Sequence, residues 1–237
     1  MSRKIFGIIG VVVALALMVV ASVAIINNND KVQQIKYKDV LEVYSSTDYS
    51  EINPDSIITA SDVNGGIPDK IIGTTDAPVI IYEYADYACS HCAEMNTTVK
   101  KIVEDYSGKV AVVFRSYLLS GYPNNVTAAA AANAAAIQGY WEKYRNLVFS
   151  DQATWFYLKG DQVSAYFVDL FVQASNGEGD VEKFREDMVS EANLTKLAFD
   201  YAMGEKVELT GTPTFRINGE KITSSDLKEK VESLLAK

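Results

Sequence analysis

Cysteine and histidine are nearly absent from this chain, which has two Cys and a single His. A closed Cys/His metal site needs more soft ligands than that. A structural disulfide would consume both thiols, so whatever the cysteines do, they do together. Excess positive charge is missing too. Thirty-one acidic residues against 22 basic give a formal charge of −9, which argues against a nucleic-acid partner, because neutralising phosphates takes a basic face. With 14 Gly, 5 Pro and 48% apolar residues, the chain is not collagen-like, low-complexity or wholly disordered. No internal repeat is visible, and 237 residues make one domain or one and a half.

What is present, at the start, is one long apolar run. Ile5 to Ile26 carry no charge, and as a helix they would reach about 33 Å, enough for a bilayer core. Arg3 and Lys4 precede the run and Asn27-Asn28-Asn29-Asp30 follows it. The positive-inside rule then keeps the N-terminus cytoplasmic and sends the rest out, as a single-pass protein of the cell membrane. A cleavable signal peptide is the competing reading, since Ser22-Val23-Ala24 offers small residues for a peptidase. Export follows either way. The expected partition is a cytoplasmic stub and transmembrane signal-anchor over 1–26, a polar extracytoplasmic tether over 27–65, and a folded domain over 66–237.

Within the folded part, Val79-Ile80-Ile81-Tyr82-Glu83-Tyr84 and Val110-Ala111-Val112-Val113-Phe114 read as buried strands. Between them a helix carries Cys92, Met95, Val99, Ile102, Val103 and Tyr106 on one face. Strand, helix and strand make a β-α-β unit with parallel strands and a right-handed crossover. From about 124 to 205 the pattern is helical, with stretches at Val126–Ile137, Trp141–Phe149, Val163–Ala174, Asp180–Val189 and Leu194–Met203. Strand signals return at Thr214–Ile217. Asn218-Gly219 then predicts a hairpin, a short partner strand follows, and an amphipathic helix runs from Ser224 to Leu235.

The chemistry concentrates in Cys89-Ser90-His91-Cys92, which opens the first of these helices. A helix N-terminus presents unpaired amides and the positive end of the macrodipole, both of which favour an anion. The spacing therefore predicts a Cys89 thiolate ionised at neutral pH, assisted by the His91 imidazole, with Cys92 one turn further in and more buried. A static disulfide and a zinc site on Cys89, His91 and Cys92 are the rivals, and the second lacks a fourth ligand. Far downstream, Thr212-Pro213-Thr214 puts a proline at a strand entry, where an edge, a turn or a cis bond is expected.

Tyr84-Ala85-Asp86-Tyr87-Ala88-Cys89-Ser90-His91-Cys92, together with Gly211-Thr212-Pro213-Thr214-Phe215 and Asn218-Gly219, resembles the DsbA-like branch of the thioredoxin superfamily, the membrane-anchored Gram-positive type in particular. The resemblance covers about 65–237. It implies an α/β, thioredoxin-like fold with an inserted helical domain at about 124–205, here preceded by the transmembrane helix. It also implies a cis proline at Pro213 facing the dithiol, and a Thr212 backbone that bonds an extended substrate peptide. By the same resemblance Glu83 is an acid under the active site, able to relay the proton of Cys92 if buried. A solvent-facing glutamate on a strand edge is the alternative. Relatives pair this acid with a lysine, and Lys109 sits poorly for that role. Ser90 stands where many relatives carry proline.

The implied activity is disulfide introduction into unfolded exported proteins by a protein thiol:disulfide oxidoreductase. It needs no cofactor beyond the Cys89–Cys92 disulfide, and a membrane quinone-linked disulfide oxidase would be the reoxidant. A reductase or isomerase of the same fold and a noncatalytic peptide-binding chaperone are the alternatives. Asn-X-Thr sequons at Asn96, Asn125 and Asn193 are discounted as chance.

Overall fold

The computed structural model describes residues 34–236. The expected anchor at 5–26 lies outside them. Among the described residues no helix is long and apolar enough to cross a membrane, and no group of three or more His, Cys, Asp or Glu is gathered to hold a metal.

In chain order the elements are α1 (Tyr37–Ser46), a 3-10 turn (Asp62–Asn64), β1 (Lys70–Ile72), β2 (Val79–Ala85), α2 (Ser90–Asp105), β3 (Val110–Ser116), α3 (Asn125–Ile137), α4 (Trp141–Ser150), α5 (Gln152–Trp155), α6 (Asp161–Ala174), α7 (Val181–Met188), α8 (Glu191–Lys206), β4 (Thr214–Ile217), β5 (Glu220–Ile222) and α9 (Leu227–Leu235). β2 and β3 pair in parallel, from Val79 opposite Val110 to Ala85 opposite Ser116. Parallel neighbours need a crossover, and α2 supplies it. β1 lies antiparallel on the far side of β3, and β4 antiparallel on β2 with Phe215 opposite Glu83. The sheet order is thus β1-β3-β2-β4-β5. Asn218 and Gly219 turn the last hairpin with positive φ of 53° and 77°, the geometry that matches strand twist. Gly73, after β1, has φ 95°, and a Cβ there would stand 2.8 Å from the Val110 carbonyl oxygen, so the close approach of the chain to β3 requires glycine.

Period-two alternation splits the sheet into two covered faces. Val79, Ile81 and Ala85 join Val99 and Val103 of α2 and Leu227 and Val231 of α9 in one cluster. Tyr82, Tyr84 and Val113 face the other way, against Phe199, Ala202 and Met203 of α8. The inserted helices gather around α3, whose alanines let α4, α6, α7 and α8 approach closely.

Two expectations about organisation change here. The segment expected to be a tether over 27–65 is, from Gln34 onward, part of the same compact unit as the rest of the described chain. Tyr37 and Tyr44 of α1 meet the edge of Tyr201 on α8, at ring separations of 6.2 and 5.2 Å. Tyr49, Ile52, Ile57 and Ile58 complete the cover over Tyr82 and Tyr84. The reason is the second sheet face, which would otherwise leave large aromatic side chains in water. The helical stretch also divides: α3 to α7 pack together, while α8 returns to lie on β3 and α1.

A buried polar seam runs under α8. Asp69 takes the Arg115 guanidinium at 2.7 Å and Lys196 at 3.2 Å. Lys196 also meets Asp200 at 2.8 Å, and Lys70 meets Asp200 at 3.3 Å. Arg115 further donates to the carbonyls of Pro54 at 2.6 Å and Ser56 at 2.7 Å. The Arg115 and Lys196 beside it hold Asp69 down at about 2 against the opposing effect of burial, and burial brings Lys70 down to about 8.

Candidate active site

Tyr87 and Ala88 carry the chain from the end of β2 to the start of α2, and Cys89 is the N-cap of that helix (φ −79°, ψ 120°). The two cysteines stand as free thiols. Cys92 is fully buried, whereas Ser90 and His91 are exposed, as the helix phase requires. The Cys92 thiol donates to the Cys89 sulfur, which is the largest influence bringing Cys89 down to about 5; a Thr212 hydrogen bond and the backbone N–H groups of Cys92 and His91 add to it, while burial opposes it. Burial, with the neighbouring Cys89, pushes Cys92 far up. One sulfur is therefore an anion at neutral pH and the other a thiol.

His91 acts differently from the expectation. Its imidazole Nδ1 lies 3.1 Å from the Glu94 carboxylate at the surface, and it is its backbone N–H that reaches the Cys89 sulfur. The Cys92 thiol, Thr212 and the backbone N–H groups of the helix start favour the thiolate without help from the ring.

Thr212 faces the dithiol across the cleft. Its carbonyl oxygen lies 3.4 Å from the Cys89 sulfur and can accept from it only while that sulfur is a thiol, its side chain favours the thiolate, and the Thr212–Pro213 peptide bond is cis. The sequence reading assigned Thr212 to a substrate backbone, and the structure adds a direct contact with Cys89.

Glu83 is fully buried, which removes the solvent-facing alternative. Its two oxygens accept from Nη2 of Arg145 at 3.0 and 2.8 Å. The partner is thus Arg145 of α4 and not Lys109. The guanidinium is packed against Phe114, Phe149 and Trp141, 5.0, 5.5 and 5.8 Å from their ring centres. Burial raises Glu83, and Arg145 pulls it back in part. A pair so enclosed is a fixed part of the core beneath the site. The signal for it was in the sequence: Arg145 falls on the apolar stripe Trp141, Tyr144, Val148 and Phe149, where a charge needs a buried partner.

The carboxylate closer to the chemistry is one that sequence reasoning passed over. Asp86 is buried, and its oxygens accept from the backbone N–H groups of Ala88 at 2.8 Å and Leu119 at 2.7 Å, and from the Asn125 amide at 2.8 Å. Burial raises it to about 6, these hydrogen bonds opposing, with the nearby Cys89 adding to the rise. An Asp three residues before Cys89, at the end of a strand, was the available signal. The three sequons prove to be buried amides: Asn125 serves Asp86, Asn193 donates to the Ala130 carbonyl at 2.8 Å, and Asn96 donates to Asn146 at 3.0 Å. None is open to a glycan.

A parallel β-α-β core, a dithiol at the mouth of its crossover helix and a proline loop against the first sulfur are the parts of a thioredoxin-like fold. The chain belongs to the thioredoxin family, whose model, described as thioredoxin, matches residues 67–237. Among solved structures it is similar to BdbD from Bacillus subtilis in its oxidised form, 22% identical with a TM-score of 0.61, covering 78% of this chain and 100% of that one. It is also similar to MdbA, a thiol-disulfide oxidoreductase from Corynebacterium diphtheriae, at 23% identity and a TM-score of 0.57, over 78% of this chain and 96% of that one. At such identities the likeness is one of fold. Among curated proteins it matches the Na(+)/H(+) antiporter NhaA 3 of Salinispora tropica, 32% identical over 155 residues, which is 65% of this chain and 22% of the antiporter. The chain spans less than a quarter of the length of such relatives, and the ion exchange in their name is theirs.

Proposed function

We propose that this protein is an extracytoplasmic thiol:disulfide oxidase that introduces disulfides into unfolded exported proteins. The observation that carries the reading is the asymmetry of the dithiol, with Cys89 brought down to about 5 and Cys92 pushed up. A stabilised thiolate is a good leaving group, and it makes the corresponding disulfide a stronger oxidant.

The cycle starts from the Cys89–Cys92 disulfide. A client thiolate attacks the sulfur of Cys89, a client–Cys89 disulfide forms, and the Cys89–Cys92 bond breaks. Cys92 leaves with the electron pair and takes up a proton, as its high pKa requires. A second client thiolate attacks the client sulfur of the mixed disulfide, and Cys89 leaves as the thiolate that the helix end and Thr212 stabilise. The client loses two electrons and the dithiol gains them. Reoxidation falls to a membrane quinone-linked disulfide oxidase, with Ile5–Ile26 as the anchor that keeps the enzyme at that surface.

The test is the equilibrium reduction potential of the protein against glutathione, with oxidation of a reduced, unfolded client followed alongside. The oxidase reading expects a potential more oxidising than the glutathione pool and client oxidation that is lost in Cys89→Ser. A strongly reducing potential would overturn the direction of flow. Unchanged handling of clients by Cys89→Ser would overturn catalysis and leave a peptide-binding module.

A further inference from the structure

The loop that presents Cys89 is gripped from the helical insertion, through side-chain hydrogen bonds that the insertion donates. Gln152, the first residue of α5, donates from its amide Nε2 to the Tyr87 carbonyl at 2.7 Å and to the Cys89 carbonyl at 3.0 Å. Asn125, the first residue of α3, donates to Asp86 at 2.8 Å. Trp141, the first residue of α4, donates its indole N–H to the Tyr87 hydroxyl at 3.0 Å. Three helix starts thus converge on the four residues 86–89. Of these contacts, only that of Gln152 reaches Cys89 itself.

The Cys89 carbonyl also accepts the first hydrogen bond of α2, from Ala93 N–H at 3.2 Å. A second donor at that oxygen fixes the peptide plane after Cys89, and with it the direction in which the following N–H groups point. Those of His91 and Cys92 are among the groups that stabilise the thiolate. The positive end of the Gln152 amide dipole also lies beside the residue that carries the negative charge. Both effects favour the ionised sulfur.

We propose that Gln152 is a positioning residue for the Cys89 thiolate, and that through it the helical insertion tunes the oxidising power of the dithiol. The inference rests on the thiol–disulfide reading above and adds a determinant on a different element from the cysteines. The titratable groups around the loop are Cys92, Asp86 and the His91–Glu94 pair, and Asp151 precedes Gln152 with its carboxylate engaged by the Tyr166 hydroxyl at 2.9 Å. None of them reproduces a neutral donor held on the Cys89 carbonyl.

Three substitutions in the full-length protein separate tuning from propping. Gln152→Ala removes the donor, Gln152→Glu replaces it with an acceptor and a negative charge, and Gln152→Lys restores a donor. For each, the equilibrium constant with glutathione and the thiolate titration of Cys89 are measured beside thermal stability. The expected order of oxidising power is Glu below Ala, with Lys at or above the original Gln. Gln152→Glu should lose about tenfold in the equilibrium constant, and its thiolate should titrate at higher pH. Variants that differ in stability while sharing one equilibrium constant and one thiolate titration would overturn the proposal, leaving Gln152 a structural prop. The direction of flow is read from the absolute potential of the unsubstituted protein, whereas the role of Gln152 is read from differences among variants, so either can fail without the other.

Discussion

Lowering the pH through the titration of Cys89 should weaken the reduced protein selectively. The folded thiol ionises at about 5 against an ordinary 9.0. Its folded value is depressed, so the stability it contributes is fully present above about pH 9 and is lost as the pH falls through about 5. At pH 7 the unfolded thiol is protonated and the folded one ionised over about two pH units, worth about 1.4 kcal/mol each, or about 2.7 kcal/mol in all. Water at the cleft mouth screens part of this, which leaves about 1–2 kcal/mol. The oxidised protein has no such thiol and lacks the contribution. Urea unfolding of both redox forms from about pH 4.5 to 8 should therefore show the reduced form gaining on the oxidised one as the pH rises. The potential carries the same signature. Below about pH 5 reduction takes up two protons with two electrons, and the potential falls by about 59 mV per pH unit; above it Cys92 alone binds a proton, and the slope halves to about 30 mV. A slope of about 59 mV up to pH 8, or a stability gap that does not change with pH, would refute the assignment of an ionised Cys89.

Other consequences are equally direct. Arg145→Met leaves Glu83 buried without its partner and should cost about 3–5 kcal/mol, measured by denaturant unfolding, while adding Glu83→Gln to that variant should recover much of the loss. Asn125→Ala removes a donor from buried Asp86 and should cost about 1–3 kcal/mol; an unchanged melting temperature would count against the clamp on the loop. Lys70 ionises at about 8 in the fold against 10.5 outside it. The unfolded chain then binds more protons between those values, so the oxidised protein should gain stability as the pH rises through that window, and Lys70→Met should flatten the rise.

Much of the frame was legible because its signals are local. The β-branched runs of β2 and β3, the one-sided helix after Cys89 and the Asn218-Gly219 turn each declare their structure within a few residues. The elements that escaped depend on distant partners. α1 shows Tyr37, Val40 and Tyr44 at helical spacing, but only Val40 is fully buried, and the tyrosines find their place against Tyr201 far along the chain. β1 is three residues long and owes its existence to β3. At the site, the dithiol and the proline loop could be read directly. His91 was overvalued, since an imidazole next to a cysteine in sequence points to the opposite, exposed side of the first helical turn. Gln152 escaped because it works through a segment brought near only by the fold, whereas Asp86 and Arg145 had local signals, a carboxylate three residues before Cys89 and a charge on an apolar stripe.

The docking of residues 34–58 decides where the catalytic unit can be cut. A fragment starting at Gly65 keeps every residue of the dithiol site, yet it strips Tyr49, Ile52, Ile57 and Ile58 from the second sheet face and takes away the Pro54 and Ser56 carbonyls that Arg115 uses. Such a fragment would partly uncover Tyr82 and Tyr84, which keep only the cover of α8, leaving an aromatic surface prone to self-association and to proteolysis, and its weakness would be mistaken for a property of the enzyme. A start at or before Gln34 avoids that artefact, and limited proteolysis of the intact chain should find 34–65 resistant.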